Sequence, residues 1–372
     1  MPKPITELSN EEFETYARQI ALADIGYTGQ LKLRNARVCV VGLGGLGSPT
    51  ALKLAAMGIG YLRLVDRDVI CRSDLQRQYL YDVDSLGYSK VEVVANRLSR
   101  LNPNVELDPV PAPFNQTYAE DLVKGVDVVV DGLDRIEARY LLNRTCVKLK
   151  IPYIFGAAIE LVGNVSTLIP GKTPCLECFY PGLEDRLMPR CAVVGVHPSA
   201  TGIVSSIQVS EVTKLLIDGR PNLLNKLLHI DLRSLAFEEI NVAPSEVCPV
   251  CSNEPREAPK PLKERFFEET CARDGRRVFV ITPKKKVDLD LEKLYRLLQG
   301  DHRIMVKGRY GTTFEYSAAI SLSILKSGIM IAQVSPEERK ISGLDILQLY
   351  RSTLVDGLGV EEDVIPESTG DT

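Results

Sequence analysis

A glycine-rich turn between an apolar run and a helical pattern constrains the fold of this chain more than any other feature. The apolar run is Val38–Val41, and Gly42, Gly44, Gly45 and Gly47 follow it directly. Glycine permits a tight turn and a close approach of the backbone to a phosphate, while the helix behind the turn directs unpaired N–H groups at the anion. The sequence therefore predicts a nucleotide-binding unit at this point.

Predicted strands alternate with predicted helices from the N-terminal region to Gly156. The strands are predicted over Ala36–Leu43, Tyr61–Val65, Val105–Val110, Val126–Val130 and Tyr153–Gly156, with a long helix over Ser85–Leu101. This alternation predicts an α/β fold with a Rossmann-like, doubly wound, mostly parallel sheet. Beyond Gly156, a strand over Gly163–Pro170 and a hairpin over 227–242 are expected to add antiparallel strands to the sheet.

Composition divides the 372 residues into four parts. The stretch Glu254–Lys263 is rich in proline and charge, which predicts a linker. We expect a nucleotide-binding domain with two cysteine pairs at 1–253, a linker at 254–275, a small α/β domain of unknown role at 276–356 and a flexible tail at 357–372.

The charge and hydropathy of the chain argue against several classes of partner. The formal net charge is −4, which is not typical of a general nucleic-acid-binding or membrane-surface protein. No apolar run approaches the length of a membrane span, and the N-terminal segment lacks the apolar core of a secretory signal. We therefore expect a cytoplasmic protein without nucleic-acid or membrane partners.

Two carboxylates follow the second predicted strand. Asp66 comes 19 residues after Gly47, where a Rossmann fold places the acidic side chain that accepts hydrogen bonds from ribose hydroxyls. The alternative is a solvated strand end, and the position does not separate NAD from ATP. Asp68 either helps to bind Mg²⁺ or caps a turn.

Three further charged residues fit the chemistry of a triphosphate. Arg77 and Lys90 can stabilise phosphoryl oxygens, although each taken singly is more typical of a solvated surface. Asp134 follows the fourth predicted strand, where a carboxylate either holds Mg²⁺ between phosphates or caps the helix predicted from Arg135. A dehydrogenase has little need of fixed cations at these positions, so together they favour ATP over NAD.

Four of the nine cysteines form two Cys-x-x-Cys pairs. An odd total with such pairs indicates metal binding and free thiols in a reducing compartment rather than a disulfide framework. Four thiolates suit a closed tetrahedral Zn²⁺ site with a structural role, the alternatives being redox pairs or buried thiols. The predicted ligands are Cys175, Cys178, Cys248 and Cys251.

Cys191 lies in a predicted loop outside both cysteine pairs. Its neighbour Arg190 favours the thiolate, which is the nucleophilic form, although a lone cysteine is more often a small apolar side chain. Cys191 is therefore a candidate nucleophile, with a purely structural thiol as the alternative.

Taken together, these motifs resemble the ThiF/MoeB/HesA family, the prokaryotic relatives of ubiquitin-activating enzymes. The resemblance covers about residues 8–253. It rests on Tyr16–Ile20, Gly42–Pro49, Asp66–Asp68, Leu75–Gln78, Gly87–Lys90, Asp131–Asp134, Gly156–Ala158, both cysteine pairs and the Cys191 loop. Each motif alone is weak, but their order and spacing are specific to this family.

The resemblance implies an adenylyltransferase that uses ATP and Mg²⁺. Its substrate would be the C-terminal Gly-Gly carboxylate of a ubiquitin-like β-grasp sulfur-carrier protein of the MoaD or ThiS type. Adenylation would prepare that carboxylate for thiocarboxylate formation, with an external sulfur donor as a further partner. The pathway stays open among molybdopterin, thiamine, tRNA thiolation and cysteine-related chemistry.

The resemblance also implies roles for individual residues. The glycine turn would hold phosphates and Asp66 the ribose, while Arg77, Lys90 and Asp134 would match the triphosphate and metal residues of the family. Arg18 would match an arginine that reaches the site of a neighbouring subunit, which implies a homodimer. Cys191 would match the cysteine that links covalently to the carrier in some members.

Two features depart from the family pattern. The family has Ser-Asn before Leu-Gln-Arg-Gln, whereas this chain has Ser73 and Asp74. The additional negative charge of Asp74 near the phosphates would weaken ATP binding unless Mg²⁺ or Arg72 offsets it. Residues 276–356 contain no rhodanese-type cysteine loop. Alternative hypotheses are a non-catalytic carrier-binding scaffold of the same fold, an NAD-dependent oxidoreductase and a tRNA-modifying relative.

Overall fold

The computed structural model describes residues 4–185, 194–271, 275–338 and 340–367, which form two β-sheets. The first sheet has eight strands in the order β3-β2-β1-β4-β5-β6-β7-β8. They are β1 (Arg37–Val41), β2 (Tyr61–Val65), β3 (Glu106–Val110), β4 (Val128–Asp131), β5 (Tyr153–Ile159), β6 (Val162–Leu168), β7 (Lys226–Asp231) and β8 (Ala236–Asn241). The first five strands pair in parallel and the last three extend the sheet in antiparallel, which confirms the predicted mixed sheet.

Helices cover both faces of the first sheet. They are α1 (Asn10–Ile20), α2 (Gly26–Asn35), α3 (Gly47–Ala56), α4 (Lys90–Leu101), α5 (Ala119–Val123), α6 (Ile136–Leu149), α7 (Leu176–Phe179) and α8 (Pro198–Asp218). Val38 and Val40 of β1 share one core with α3, α4 and α8, whereas Cys39 and Val41 share the other core with α5 and α6. Both sides of β1 are buried, which is why its sequence is continuously apolar.

The helix predicted over Ser85–Leu101 is shorter in the structure. Val83–Ser85 forms a separate 3₁₀ turn, and α4 begins only at Lys90. Gly87 between them has a φ of +82°, a left-handed conformation that ends helical geometry, and its N–H donates to the carbonyl of Ile70 at 2.9 Å. Lys90 is therefore the first residue of α4, at the end of the helix that faces the sheet edge.

The second sheet has six antiparallel strands in the order β11-β12-β13-β14-β10-β9. They are β9 (Phe267–Cys271), β10 (Arg277–Ile281), β11 (Arg303–Lys307), β12 (Gly311–Ser317), β13 (Ile320–Leu325) and β14 (Met330–Val334). The helices α9 (Leu291–Leu298) and α10 (Gly343–Arg351) pack against one face and enclose a separate core. A π-helical turn over Ser352–Gly357 and a 3₁₀ turn over Glu362–Val364 follow.

Two elements of the second sheet differ from the sequence-based prediction. β9 lies within the stretch 254–275 that is predicted as a linker. The sequence predicts strands near Thr312–Tyr316 and Ile329–Val334 but none between them, where β13 lies. Ile365, in the stretch predicted as a flexible tail, packs into the core of the second sheet. The division of the chain into domains stays a prediction.

The second sheet rests on the chain between β2 and α4. Leu325, Ile329 and Ile331 form an apolar cluster with Val69 of that segment. The hydroxyl of Thr313 donates a hydrogen bond of 2.7 Å to the carbonyl of Gly87. The segment under the second sheet is the one that carries several predicted site residues.

Across the described part of the chain, no helix combines the length and the apolar character needed to cross a bilayer.

Candidate functional site

Three glycines bring the ends of β1 and β4 and the start of α3 into direct contact. Gly42 has a φ of +87°, which favours glycine. A Cβ on Gly47 would lie 1.7 Å from the carbonyl oxygen of Gly42, and a Cβ on Gly132 would lie 2.2 Å from the same atom. Only glycine fits at these positions, and Gly132 belongs to the Asp131–Asp134 motif of the sequence analysis.

The glycine turn is fixed by side chains from neighbouring segments. The carboxylate of Asp66 accepts the N–H of Leu43 at 2.6 Å and the N–H of Asp68 at 2.7 Å. The hydroxyl of Tyr81 donates to the carbonyl of Leu43 at 2.8 Å. No side chain caps the start of α3, so the helix presents a positive N-terminal end suited to a phosphate.

Arg77 lies beside the glycine turn. Its Cδ atom would be 3.4 Å from a Cβ on Gly45, whose other near neighbour is Thr201 of α8. The guanidinium donates to the carbonyl of Ser73 at 2.8 Å and lies 3.5 Å from the carboxylate of Asp74. The structure thus brings Arg77 to the predicted phosphate site.

Lys90 is buried among carboxylates. Its ammonium lies 3.1 Å from Asp68 and 3.8 Å from Asp74. Burial acts to lower the pKa of Lys90, but the negative charges of Asp68, Asp74 and Asp66 outweigh it and raise the pKa well above its usual range. Lys90 therefore carries a firm positive charge at the sheet edge.

Asp74, the departure from the family pattern, is held inside the site. Its carboxylate accepts the N–H of Cys71 at 3.0 Å and the side-chain amide of Gln78 at 2.9 Å. Lys90 and Arg77 are the cations that approach it. They supply the compensating charge that the sequence analysis expected from Mg²⁺ or Arg72.

The two carboxylates after β2 differ in their acidity. Burial raises the pKa of Asp66 to about 6, against the opposing charge of Lys90. Burial also acts to raise the pKa of Asp68, but Lys90 and Arg67 outweigh it and leave that pKa lowered. Asp68 is the stronger acid of the pair and stays ionised over a wider pH range.

The start of α6 tests one of the two hypotheses for Asp134. The hypothesis that Asp134 caps this helix is wrong, because no side chain at the N-terminus of α6 makes a capping hydrogen bond. Asp185 acts as the cap from a distance and accepts the N–H of Ile136 at 2.8 Å. Asp134 is exposed, and its role as a metal ligand stays a prediction.

Several buried polar residues hold the loop after β4, and the sequence analysis missed three of them: Arg139, Tyr153 and Gln208. The carboxylate of Asp131 contacts Arg139 at 3.1 Å and accepts the hydroxyl of Tyr153 at 2.6 Å. Arg139 also donates to the carbonyl of Gly156, and Gln208 of α8 donates to the carbonyl of Asp131 at 2.9 Å. These contacts join separate elements, so no local spacing in the sequence marks them.

Two predicted site residues are not brought to this edge. Arg18 lies on the exposed side of α1, and no contact of Arg18 with the nucleotide site is recorded among the described residues. Cys191 lies outside the described residues. Their predicted roles stay predictions.

The four paired cysteines converge, as predicted, although 69 residues separate the two pairs. All four sulfur atoms lie within 4.8 Å of one another. The recorded separations are 4.0 Å for Cys175 and Cys178, 3.6 Å for Cys175 and Cys248, and 3.4 Å for Cys178 and Cys251. These are too long for disulfides and close to the edge of about 3.8 Å expected for a tetrahedron with Zn–S bonds of about 2.3 Å. The cluster is a candidate metal centre.

A comparison with known families assigns the region that contains the first sheet. The model of the ThiF family matches residues 16–250. The chain belongs to the ThiF family. The match contains the glycine turn, Asp66, Arg77, Lys90 and Asp134, and it ends before the second sheet.

Two sequence relatives and one solved structure are similar to this ThiF-family region. The chain is 38% identical over 266 residues to the SAMP-activating enzyme E1 of Haloferax volcanii. The matched region covers 71% of this chain and 97% of that relative. It is 37% identical over 269 residues to the adenylyltransferase and sulfurtransferase MOCS3 of Anopheles gambiae, covering 72% of this chain and 60% of that relative. The crystal structure of E. coli MccB with ATP superposes with a TM-score of 0.57 at 25% identity, over 66% of this chain and 75% of that one.

Proposed function

We propose that this chain is an ATP-dependent adenylyltransferase that activates the C-terminal Gly-Gly carboxylate of a ubiquitin-like sulfur-carrier protein. The observation that carries the proposal is the convergence of the glycine turn, Asp66, Arg77 and Lys90 at one sheet edge of a ThiF-family domain. The names of two relatives, a SAMP-activating enzyme E1 and an adenylyltransferase, support this activity. MccB, a structural relative, was solved with ATP.

The proposed reaction is a displacement at the α-phosphorus of ATP. A carboxylate oxygen of the carrier attacks this atom, the bond to the bridging oxygen breaks, and pyrophosphate leaves, so that an acyl-adenylate forms. Arg77, Lys90 and the N-terminal end of α3 stabilise the negative charge on the phosphoryl oxygens, and Asp66 accepts hydrogen bonds from the ribose. Asp68 and Asp134 offer oxygen ligands to Mg²⁺, which neutralises charge on the triphosphate.

Two further roles extend the proposal beyond a single subunit and a single step. Arg18, exposed on α1, contributes to the site of a neighbouring copy in a homodimer. Cys191 forms the covalent link to the carrier after adenylation: its thiolate attacks the acyl carbon of the adenylate, and AMP leaves. Sulfide-level sulfur from an external donor then displaces the Cys191 thiolate, which yields the thiocarboxylate. We place the protein in the cytoplasm, where reducing conditions keep the paired cysteines as thiols.

The four-thiol cluster is proposed to bind one Zn²⁺ with a structural role. Four thiolates fill a tetrahedral coordination shell and leave no open position for catalysis. The cluster joins the loop after β6 to the segment after β8, so it pins the antiparallel part of the sheet.

The alternative functions receive no comparable support. An oxidoreductase leaves Arg77 and Lys90 without a task, although the structure places both beside the glycine turn or its acidic neighbours. Asp74, the departure that favoured a scaffold, has its charge compensated by Lys90 and Arg77, as a buried carboxylate requires in any folded protein.

The deciding experiment is ATP–pyrophosphate exchange with Mg²⁺ and candidate Gly-Gly carriers. We expect carrier-dependent exchange in the wild type, a loss of about 100-fold in Asp134→Ala because a proposed ligand of Mg²⁺ is removed, and near-wild-type exchange in Cys191→Ala. ATP binding without exchange for any carrier would favour the scaffold. Binding of NADH tighter than that of ATP, measured by fluorescence, would favour the oxidoreductase.

A further inference from the structure

One carboxylate from the second sheet reaches the nucleotide site. Glu268 on β9 lies 2.6 Å from the guanidinium of Arg67 and also pairs with the guanidinium of Arg135. Arg67 stands between Asp66 and Asp68 after β2, and Arg135 follows Asp134 after β4. Glu268 thus bridges the two loops of the first sheet that carry the predicted Mg²⁺ ligands. It lies outside the region that the ThiF family matches.

The bridge is shielded from solvent and charged. The side chain of Glu268 is 12% exposed, that of Arg67 27% and that of Arg135 30%. Burial acts to raise the pKa of Glu268, but Arg67, Arg135 and Arg265 outweigh it and lower the pKa. The carboxylate is therefore ionised at neutral pH. Removal of one partner from such a pair leaves the charge of the other uncompensated, which favours its interaction with another nearby charge.

If Glu268 is lost, the carboxylates that remain near Arg67 are those of Asp68 and Asp134, the predicted Mg²⁺ ligands. The Nε atom of Arg67 lies 4.0 Å from the carboxylate of Asp68, and Arg67 also interacts electrostatically with Asp134. Arg135 has a second anchor, because its Nε atom lies 2.9 Å from Asp185. Loss of Glu268 would therefore release Arg67 more than Arg135, and a released Arg67 would neutralise Asp68 and Asp134.

We propose that Glu268 is a positioning residue for adenylation. It engages the guanidinium of Arg67 at 2.6 Å, whereas Asp68 lies 4.0 Å from Arg67, and so limits the competition of Arg67 with the Mg²⁺ of MgATP for Asp68 and Asp134. The second sheet thereby contributes to the nucleotide site without contacting the reacting atoms. This inference rests on the proposed function, since it concerns the use of MgATP at the same site.

The test compares Glu268→Gln with Glu269→Gln in the full-length protein. Glu269 is the next residue on β9, so its side chain points to the other face of the sheet, where it pairs with Arg277 at 2.7 Å. We expect Glu268→Gln to raise both the Kd of MgATP, measured by calorimetry, and its KM in pyrophosphate exchange by about tenfold. The KM of the carrier should not change, and Glu269→Gln should behave as the wild type.

A double variant separates positioning from simple docking of the second sheet. Arg67→Met with Glu268→Met removes both charges, and so leaves no unpaired Arg67 to occupy the carboxylates. We expect its Kd for MgATP to return to within about twofold of the wild-type value. A double variant as impaired as Glu268→Gln would overturn the inference, because Glu268 would then act only by attaching the second sheet.

The remaining outcomes also decide between the two proposals. Unchanged MgATP binding in Glu268→Gln, with exchange intact in the wild type, would overturn this inference and leave the proposed function standing. Absence of exchange in the wild type would instead count against the proposed function. If Glu268→Gln does not fold, as judged by thermal unfolding, the double variant still tests the inference, because a Kd for MgATP about tenfold above the wild-type value would overturn it.

Discussion

At the scale of single residues, the site is built from charges that depend on one another. Lys90 compensates Asp68 and Asp74, and the carboxylate of Asp66 fixes the glycine turn through the N–H of Leu43. Each of these side chains has a structural partner in addition to its proposed substrate role. Their protonation therefore affects both the shape of the site and the binding of the nucleotide.

The raised pKa of Asp66 predicts that ATP affinity depends on pH. Its pKa is about 6, above the ordinary value of 3.8, so the folded protein holds this proton more tightly than the unfolded chain. The stability contributed by the protonated form is therefore lost as the pH rises from 3.8 through about 6. ATP binding should change in the opposite direction, because the ionised carboxylate is the better acceptor for ribose hydroxyls.

We expect the Kd of ATP to decrease by up to about tenfold as the pH rises from about 5 to about 7. Calorimetric titration across this range measures the effect. Asp66→Asn is the matched variant, since it keeps one acceptor oxygen for Leu43 but cannot ionise, and it should flatten the profile. An identical slope in Asp66→Asn would assign the pH dependence to another group or to the phosphates of ATP.

At the scale of elements, the sequence predicts correctly the bounds of a strand that is buried on both faces of the first sheet. β2 has the predicted bounds, Tyr61–Val65, because its residues pack against both helical layers. The parallel topology then places the ends of β1, β2 and β4 at one edge, which predicts the convergence of the glycine turn with Asp66. Burial and strand direction therefore predict that these residues lie close together, whereas their roles in binding stay predictions.

The elements that the sequence analysis missed have different causes. β9 reads Phe-Glu-Glu-Thr-Cys, and the charge of its buried Glu268 is compensated by arginines of the first sheet, so no local pattern identifies it as a strand. In β13, by contrast, Ile320, Leu322 and Ile324 alternate with serines, which is the pattern of a strand, and this signal was available. The cap of α6 by Asp185 is a long-range contact, which spacing alone does not predict.

The cysteine cluster joins two elements that are distant in sequence, which predicts a metal-dependent fold. We expect about one Zn²⁺ per chain by metal analysis, because four thiolates form one tetrahedral site. Removal of the metal with a chelator should lower the free energy of unfolding by about 3 kcal/mol or more, since binding and folding are coupled. Addition of Zn²⁺ should restore it. A metal-free protein with an unchanged melting temperature would contradict the structural role.

At the scale of the whole molecule, the second sheet is docked on the functional loops rather than beside them. Its apolar residues meet Val69, its Thr313 bonds Gly87, and its β11–β12 turn is held by Glu92 of α4. These contacts all fall on the chain between β2 and the first turns of α4. The second sheet therefore supports the segment that presents Asp68 and Lys90.

Glu92 offers a direct test of this docking. Its buried carboxylate accepts the backbone N–H of Arg309 at 2.9 Å and that of Tyr310 at 3.2 Å, and a Cβ on the preceding Gly308 would lie 2.6 Å from the same carboxylate. Glu92→Gln replaces one of the two acceptor oxygens by an N–H₂ group, which cannot accept a hydrogen bond. One backbone N–H then loses its partner, at a cost of about 1–3 kcal/mol.

We expect Glu92→Gln to accelerate hydrogen exchange at the amides of Arg309 and Tyr310 by about tenfold, and to lower the melting temperature. Glu106→Gln, at an exposed position on β3, is the control and should change neither quantity. If the second sheet supports the functional loops, exchange must also accelerate between β2 and α4 in Glu92→Gln, around Gly87. Acceleration confined to the β11–β12 turn would show that those loops keep their structure without this contact.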